Sequence, residues 1–278
     1  MGEVSRVSQT SQGAIVLPVA DCHTHLLPGL DDGAQSEEEA RELLGLAAAS
    51  GTKILFLTPH YLPGHFQAGP QEVQAAVAAW QETASDLDLE LVAGQEAYLD
   101  PGLPEAVRDG RVLPLGRDRS FLLVELPMDH LPSWADDTLF QLQLKGITPV
   151  LAHPERCAGV IKRPEWLEGA VSRGLLVQLN GPSLTGAHGP QVEKVAKSFL
   201  RHGLVHFLGS DAHSRHRPPV LRPAVEAVVS LAGTEAARRI AWENPMALLS
   251  GHAIASAATE AAATAPRRPF RHFFPWNR

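Results

Sequence analysis

A chain of 278 residues with 44% hydrophobic and 20% charged residues has the composition of a soluble globular protein of one large or two small domains. Its formal charge of -7 argues against a nucleic-acid binder built on phosphate contacts. Its two cysteines, Cys22 and Cys157, make no disulfide framework and fit a reducing, cytoplasmic compartment.

Residues 1–13 are polar and read as a disordered lead-in to a domain expected over 14–253. The apolar run at 14–20 is broken by Pro18 and too short to span a membrane. No charged segment precedes a long apolar one, so neither stable membrane insertion nor a signal peptide is expected. Short apolar runs then recur at 15–23, 53–60, 90–98, 120–126, 148–153, 175–180 and 205–210. Helical patterns lie between and after them at 36–50, 71–85, 104–108, 133–144, 164–173, 190–201, 219–231 and 236–249. Ser36 with Glu37, Glu38 and Glu39 is a capping-box start, and Gly51 is a stop. Seven strand–helix alternations imply a parallel sheet buried on both faces. A barrel and an open doubly wound sheet both satisfy that pattern. The absence of G-x-G-x-x-G after the first strand disfavours a dinucleotide-binding sheet. The end, 254–278, is Ala/Thr-rich and then basic and aromatic, and reads as a tail.

The polar residues at the strand ends carry the functional signal. The first strand ends in His23-Thr24-His25, whose period of two puts both imidazoles on one side, followed by the carboxylates Asp31 and Asp32. The next runs supply His60, Glu96, Glu125, His153, Asn180, and finally Asp211 with His213. In α/β folds the C-terminal strand ends are where sites are built. Nine candidate ligands (His23, His25, Asp32, His60, Glu96, Glu125, His153, Asp211 and His213) are too many for one ion and suit two or three. A mixed imidazole and carboxylate set without thiolate selects Mn, Zn or Fe. Asp31 is then a supporting group or an acid, and Arg156, just past a ligand strand, suits phosphate.

H-x-H, T-P-H, a central Glu, H-P-E-R and S-D-A-H in this order resemble the polymerase-and-histidinol-phosphatase (PHP) family. His23-Thr24-His25-Leu26-Leu27-Pro28-Gly29-Leu30-Asp31-Asp32-Gly33-Ala34 narrows the likeness to the bacterial manganese-dependent tyrosine phosphatases of capsule and exopolysaccharide operons. That resemblance, over about residues 17–250, implies a distorted (β/α)7 barrel and a trinuclear site usually assigned Mn2+. It implies Arg156 and, less directly, Arg217 as phosphate-binding arginines. It also implies the phosphotyrosine tail of a bacterial tyrosine kinase as partner, and homo-oligomers occur in such families. The usual basic residues after T-P-H are absent here, where the segment is Tyr61-Leu62-Pro63-Gly64-His65-Phe66.

Competing readings stay open at this level. Cys157 through Arg163 has the C-x5-R spacing of thiolate phosphatases, but it holds a single glycine and reads as chance. A small-molecule phosphatase of the histidinol-phosphate type, a nuclease and an inactive metal-stabilised scaffold are the others. The acidic charge disfavours the nuclease. Outside the ligand set, His188, His202, His206, His216, His252 and His272 read as surface or capping residues, and Cys22 as a small core residue.

Overall fold

The computed structural model describes residues 17–254. β1 (Val19–Thr24) leads to α1 (Glu37–Ala49), β2 (Thr52–Leu57) and β3 (His60–Tyr61) to α2 (Pro70–Ser85), and β4 (Glu90–Ala93) and β5 (Glu96–Tyr98) to α3 (Leu103–Arg108). β6 (Phe121–Glu125) leads to α4 (Ala135–Leu144), and β7 (Thr148–Ala152) to a 3-10 turn (Pro154–Arg156), α5 (Ala158–Lys162) and α6 (Pro164–Ser172). β8 (Leu176–Asn180) leads to α7 (Gly181–Leu184) and α8 (Pro190–Arg201). β9 (Phe207–Gly209) leads to α9 (Arg222–Ala232), α10 (Thr234–Arg238), a π turn (Arg239–Glu243) and α11 (Asn244–Leu249).

Every strand pair is parallel, in the orders β1-β2-β4 and β3-β5-β6-β7-β8-β9. The runs expected as the second and third strands are each broken in two, at Thr58-Pro59 and Gly94-Gln95. Pro59 has no N–H to continue a ladder. Hydrogen bonds bridge the breaks: Thr58 N–H donates to Thr24 O (2.8 Å), Gly94 N–H to Leu57 O (3.1 Å) and Glu96 N–H to Pro59 O (3.2 Å). At the other edge Asp211 N–H donates to His23 O (2.9 Å) and His25 N–H to Ala212 O (2.8 Å). The seam is reinforced by Ser210 N–H on Asp21 Oδ1 (2.9 Å). Seven strand positions thus form a ring joined at its C-terminal rim, a distorted (β/α)7 barrel whose distortion lies in two broken strands.

Alternation within the strands separates an inner from an outer core. Ala20, Cys22, Ile54, Phe56, Leu123, Val150, Ala152, Leu176 and Phe207 fill the inside with Leu248 and Leu249. This cluster is the apolar floor of the barrel mouth, and Cys22 belongs to it as expected. The intervening residues pack under the helices. α1 shows how: its buried Ala40, Leu43, Leu44 and Ala47 form one stripe. Ser36 Oγ accepts Glu39 N–H at 3.2 Å, while the Glu39 carboxylate turns back to Gln35 N–H (3.0 Å), one residue before the cap. The expected single helix at 236–249 is instead α10, the π turn and α11, because Pro245 removes a donor from the ladder. Among the described residues no helix is long and apolar enough to cross a membrane. The lead-in 1–13 and all but the first residue of 254–278 lie outside the described residues.

Candidate active site

All nine candidate ligands meet at the C-terminal mouth of the barrel. His23 lies in β1 and His25 just beyond it, and Asp31 and Asp32 follow on the next loop. His60 opens β3 and is paired in register with Glu96, which opens β5. Glu125 ends β6, His153 follows β7, and Asp211 and His213 follow β9. Two of these positions use left-handed backbone, His153 at φ 31° and Asp211 at φ 55°. Such conformations cost energy for non-glycine residues and persist where the surroundings impose them. Close packing also demands glycine at Gly209, where a Cβ would come 2.6 Å from His23 Cβ.

The donor atoms fall into four overlapping groups, each within 4.8 Å: His25, Asp32, His60 and His213; His23, Glu96 and His153; His23, His25 and Asp211; His60, Glu96 and Glu125. Glu96 is central and fully buried. Its oxygens lie 3.0 Å from His60 Nδ1, 3.1 Å from His153 Nε2, 3.2 Å from His23 Nε2 and 3.4 Å from His25 Nε2. Neither oxygen accepts a hydrogen bond in proper geometry. A buried carboxylate with no donor is costly unless its charge is neutralised nearby.

The imidazoles are oriented to match. His23 Nδ1 lies 2.9 Å from Gln178 Oε1, and His25 Nδ1 lies 2.6 Å from Asp31 Oδ2. Both partners are acceptors, so each Nδ1 carries a proton, and in the neutral ring it is Nε2 that holds the lone pair. Those two Nε2 atoms stand 2.9 Å apart. Two facing lone pairs at that distance repel, and a shared proton or a metal ion relieves them. The bare Glu96 carboxylate and the paired lone pairs are what a centre for divalent ions needs, so the residues fit metal.

The protein's own charges show the same demand. Burial pushes Glu96 up, but the charge of His23 and the imidazoles around it hold it well below the usual carboxylate range. Burial pushes His153 down, and contact with Glu96 overrides this and raises it to about 9. His25 rises likewise, against burial, through Asp31 and Glu96.

Asp31 was expected as a catalytic group. Its carboxylate instead accepts from His25, from Gly33 N–H (2.9 Å) and from His60 N–H (3.0 Å). Burial raises its pKa, but His25 and these bonds bring it to about 2, which unfits it as an acid at neutral pH. Asp31 positions His25.

Asp211 divides its two oxygens. Oδ1 faces His23 and His25, each at 3.7 Å, and His213 at 3.5 Å. Oδ2 accepts from Arg156 (2.6 Å) and Asn180 (2.9 Å) and is ion-paired with Arg217 (2.7 Å), whose Nη2 donates to the backbone oxygen of Asp211 (3.0 Å). The structure therefore brings both arginines to the same carboxylate, at the edge of the ligand cluster. Arg156 is 22% and Arg217 42% exposed, so both guanidiniums keep faces open to solvent.

Comparison with known proteins agrees with this geometry. The family described as "Capsular polysaccharide synthesis, CpsB/CapC" matches residues 19–250. The chain belongs to the CpsB/CapC family. It is 32% identical to the tyrosine-protein phosphatase YwqE of Bacillus subtilis over 196 residues, 70% of this chain and 77% of that one. It is 26% identical to the tyrosine-protein phosphatase CpsB of Streptococcus pneumoniae over 237 residues, 82% and 97% of the two chains. Among solved structures it resembles one from the work on YwqE and CpsB as metal-dependent tyrosine phosphatases, with TM-score 0.80, 30% identity, and 85% and 96% coverage.

The C-x5-R string of this CpsB/CapC chain is not a thiolate loop. Cys157 is buried, and its Sγ donates to Pro127 O (3.1 Å) and His130 O (3.5 Å). Burial raises its pKa, the reverse of an activated nucleophile. Other residues escaped the sequence reading. Gln178, which orients His23, has the same period of two with Asn180 as His23 has with His25, and that alternation was the available signal. His206 is buried in this CpsB/CapC fold, its Nδ1 accepting from Val177 N–H (3.1 Å). His188 is half-buried and joined to Ser183.

Proposed function

We propose that this chain is a metal-dependent phosphomonoesterase that removes phosphate from tyrosine, with the nine clustered residues as metal ligands and Arg156 and Arg217 as phosphate-binding groups. The observation that carries it is the juxtaposition of a donor-free buried Glu96 among imidazoles with two guanidiniums anchored on Asp211. His23, His25, Asp32, His60, Glu96, Glu125, His153, Asp211 and His213 would hold two or three ions, Mn2+ by preference for such a donor set, with Zn or Fe as alternatives. Ions there would supply Lewis-acid charge to the phosphoryl oxygens.

The chain's own groups do the rest. Arg156 and Arg217 take the non-bridging phosphate oxygens, and the Asp211 anchor fixes where their open donors point. Gln178 and Asp31 keep the two imidazoles of His23 and His25 turned toward the cluster. The apolar floor beneath keeps bulk water from the inner side. A phenolate leaving group, with a pKa of about 10, departs more readily than an alkoxide.

The substrate that fits the family is phosphotyrosine on the tail of a bacterial tyrosine kinase of polysaccharide synthesis, met in the cytoplasm. Free Cys22 and Cys157 agree with that compartment. The test is a panel of phosphotyrosine peptide, histidinol phosphate and single-stranded DNA, each with Mn2+ and with chelator. Turnover of the peptide that needs Mn2+ is the expected result. Preference for histidinol phosphate or DNA, or activity that survives chelation, would overturn it.

A further inference from the structure

We propose that the cavity between Tyr61 and Tyr98, beside the metal mouth, is a subsite for a large apolar side chain next to phosphotyrosine in the substrate peptide; this rests on the phosphotyrosine reading above. The cavity measures about 210 Å³. Sites for whole small molecules run to about 300–1,000 Å³, so this space suits a single side chain. Tyr61, Leu103 and Ala106 are buried and form its floor. Tyr98 is half-buried at its side, and exposed Pro63 stands where it opens to solvent.

Its walls continue the strands that carry the ligands. Tyr61 follows His60 in β3, and Tyr98 ends β5, which Glu96 opens. Tyr98 pairs in register with Glu125, and Leu99 N–H donates to Glu125 O (2.8 Å). His60, Glu96 and Glu125 together form one of the four donor groups, so the cavity borders the cluster on that side. A tight hairpin stands between the two. Leu62 N–H donates to Phe66 O (2.7 Å) and Phe66 N–H to Leu62 O (2.9 Å). One part of it lays the Phe66 ring along His60, with centroids 5.9 Å apart and planes 17° from parallel. Another part presents Tyr61 and Pro63 to the cavity. A peptide with its phosphotyrosine at the ions therefore has a neighbouring residue within reach of the cavity, across the hairpin.

The lining decides what the cavity takes. Two tyrosine rings with Pro63, Leu103 and Ala106 make apolar walls that an aromatic or branched side chain fills. The charged groups of the lining are already engaged. Asp100 Oδ1 accepts from Gly102 N–H (2.7 Å), and Glu105 is paired with Arg108 and with Lys145 (3.5 Å). Arg111 donates to the Tyr61 hydroxyl (3.3 Å) and to Asp109 (3.5 Å). A charged occupant has to compete with these partners, whereas an apolar one leaves them in place and gains the area it buries. The segment after Thr58-Pro59-His60, which holds no Lys or Arg, thus has a use: it supplies an apolar wall.

A peptide series reads the subsite directly. The full Mn2+-loaded chain is given phosphotyrosine peptides with Phe, Leu, Ala, Lys or Glu in turn at the two positions on either side of the phosphotyrosine. At one of those positions Phe and Leu are expected to raise kcat/KM about tenfold over Ala, with no gain from Lys or Glu. Tyr98→Ala removes a wall and should cut that preference to about twofold, while kcat/KM on 4-nitrophenyl phosphate, too small to reach the cavity, changes less than about twofold. Ala106→Leu fills the cavity, should act the same way, and carries the test if Tyr98→Ala does not fold. Equal rates on all the peptides, a preference for Lys or Glu, or an apolar preference that survives the substitutions overturns the subsite alone. A wild-type chain that cleaves 4-nitrophenyl phosphate and none of the peptides defeats the phosphotyrosine reading, and the subsite with it.

Discussion

Glu96 and Asp211 are both carboxylates buried at strand ends in one mouth, yet they are dressed in opposite ways. Glu96 has four imidazole nitrogens within 3.4 Å, and neither of its oxygens accepts a proper hydrogen bond. Asp211 offers one oxygen to imidazoles and has the other saturated by two guanidiniums and an amide. The first arrangement asks for added positive charge, and the second already holds positive charge that points outward. A site needs both: one half to take ions, the other to take an anionic ester beside them.

The comparison can be broken at its extremes. Glu96→Gln removes the negative centre while keeping the shape, and is expected to abolish ion binding at the shared positions and lower kcat by more than about 10³-fold. Metal analysis after dialysis, run beside the assay, checks it; a variant with full metal content would show that Glu96 is only structural. Arg156→Ala tests the other half: kcat/KM should fall about 10²–10³-fold with the metal content unchanged. A parallel loss of metal would mean that the two halves are not separable.

Gln178→Leu sharpens the account of how the ligands are aimed. It should weaken metal affinity by about 10–100-fold, through loss of the His23 tautomer, and restore activity at high Mn2+. Failure of excess Mn2+ to rescue would argue against an orienting role. The smallest effect concerns stability. His153 has its folded pKa raised to about 9 from 6.5, so its contribution is complete below about pH 6.5 and is lost as pH rises through about 9. Chelated protein should therefore show a falling Tm over that window. Mn2+-loaded protein should not, because the metal takes the place of the protons. A chelated protein whose Tm is flat or rises there would contradict the His153–Glu96 pairing.

Much of this mouth was legible because its ligands obey two local rules. They fall at the ends of apolar runs, and His23 with His25 repeats at the strand period. Arg156 followed from its place just beyond a ligand strand, and Arg217 only from family likeness. Asp31 and Asp32, neighbours in sequence, part in space: the turn at Gly33 sends Asp31 to His25 and leaves Asp32 3.6 Å from His60 and His213. Gln178 was hidden inside an apolar strand, and Glu155 inside a motif whose other members drew the attention. His188 lies eight residues past the end of its strand, where the short intervening helix brings it back to Ser183. The breaks at Thr58-Pro59 and Gly94-Gln95 were missed because the pieces beyond them, His60–Tyr61 and Glu96–Tyr98, are too short to stand out as strands of their own.

The seam between the first and last strands has a consequence for how the protein comes into being. Asp21 and Ser210 are 189 positions apart in the chain, and joining ends so distant costs about 4–5 kcal/mol of chain entropy. During synthesis His23 and His25 emerge early and must wait for Asp211 and His213, made after most of the polypeptide has left the ribosome. No ion can find its full set of donors before then. Metal uptake would be a late event that rewards a finished ring, and a nascent chain starved of metal would linger with its first strand unclasped.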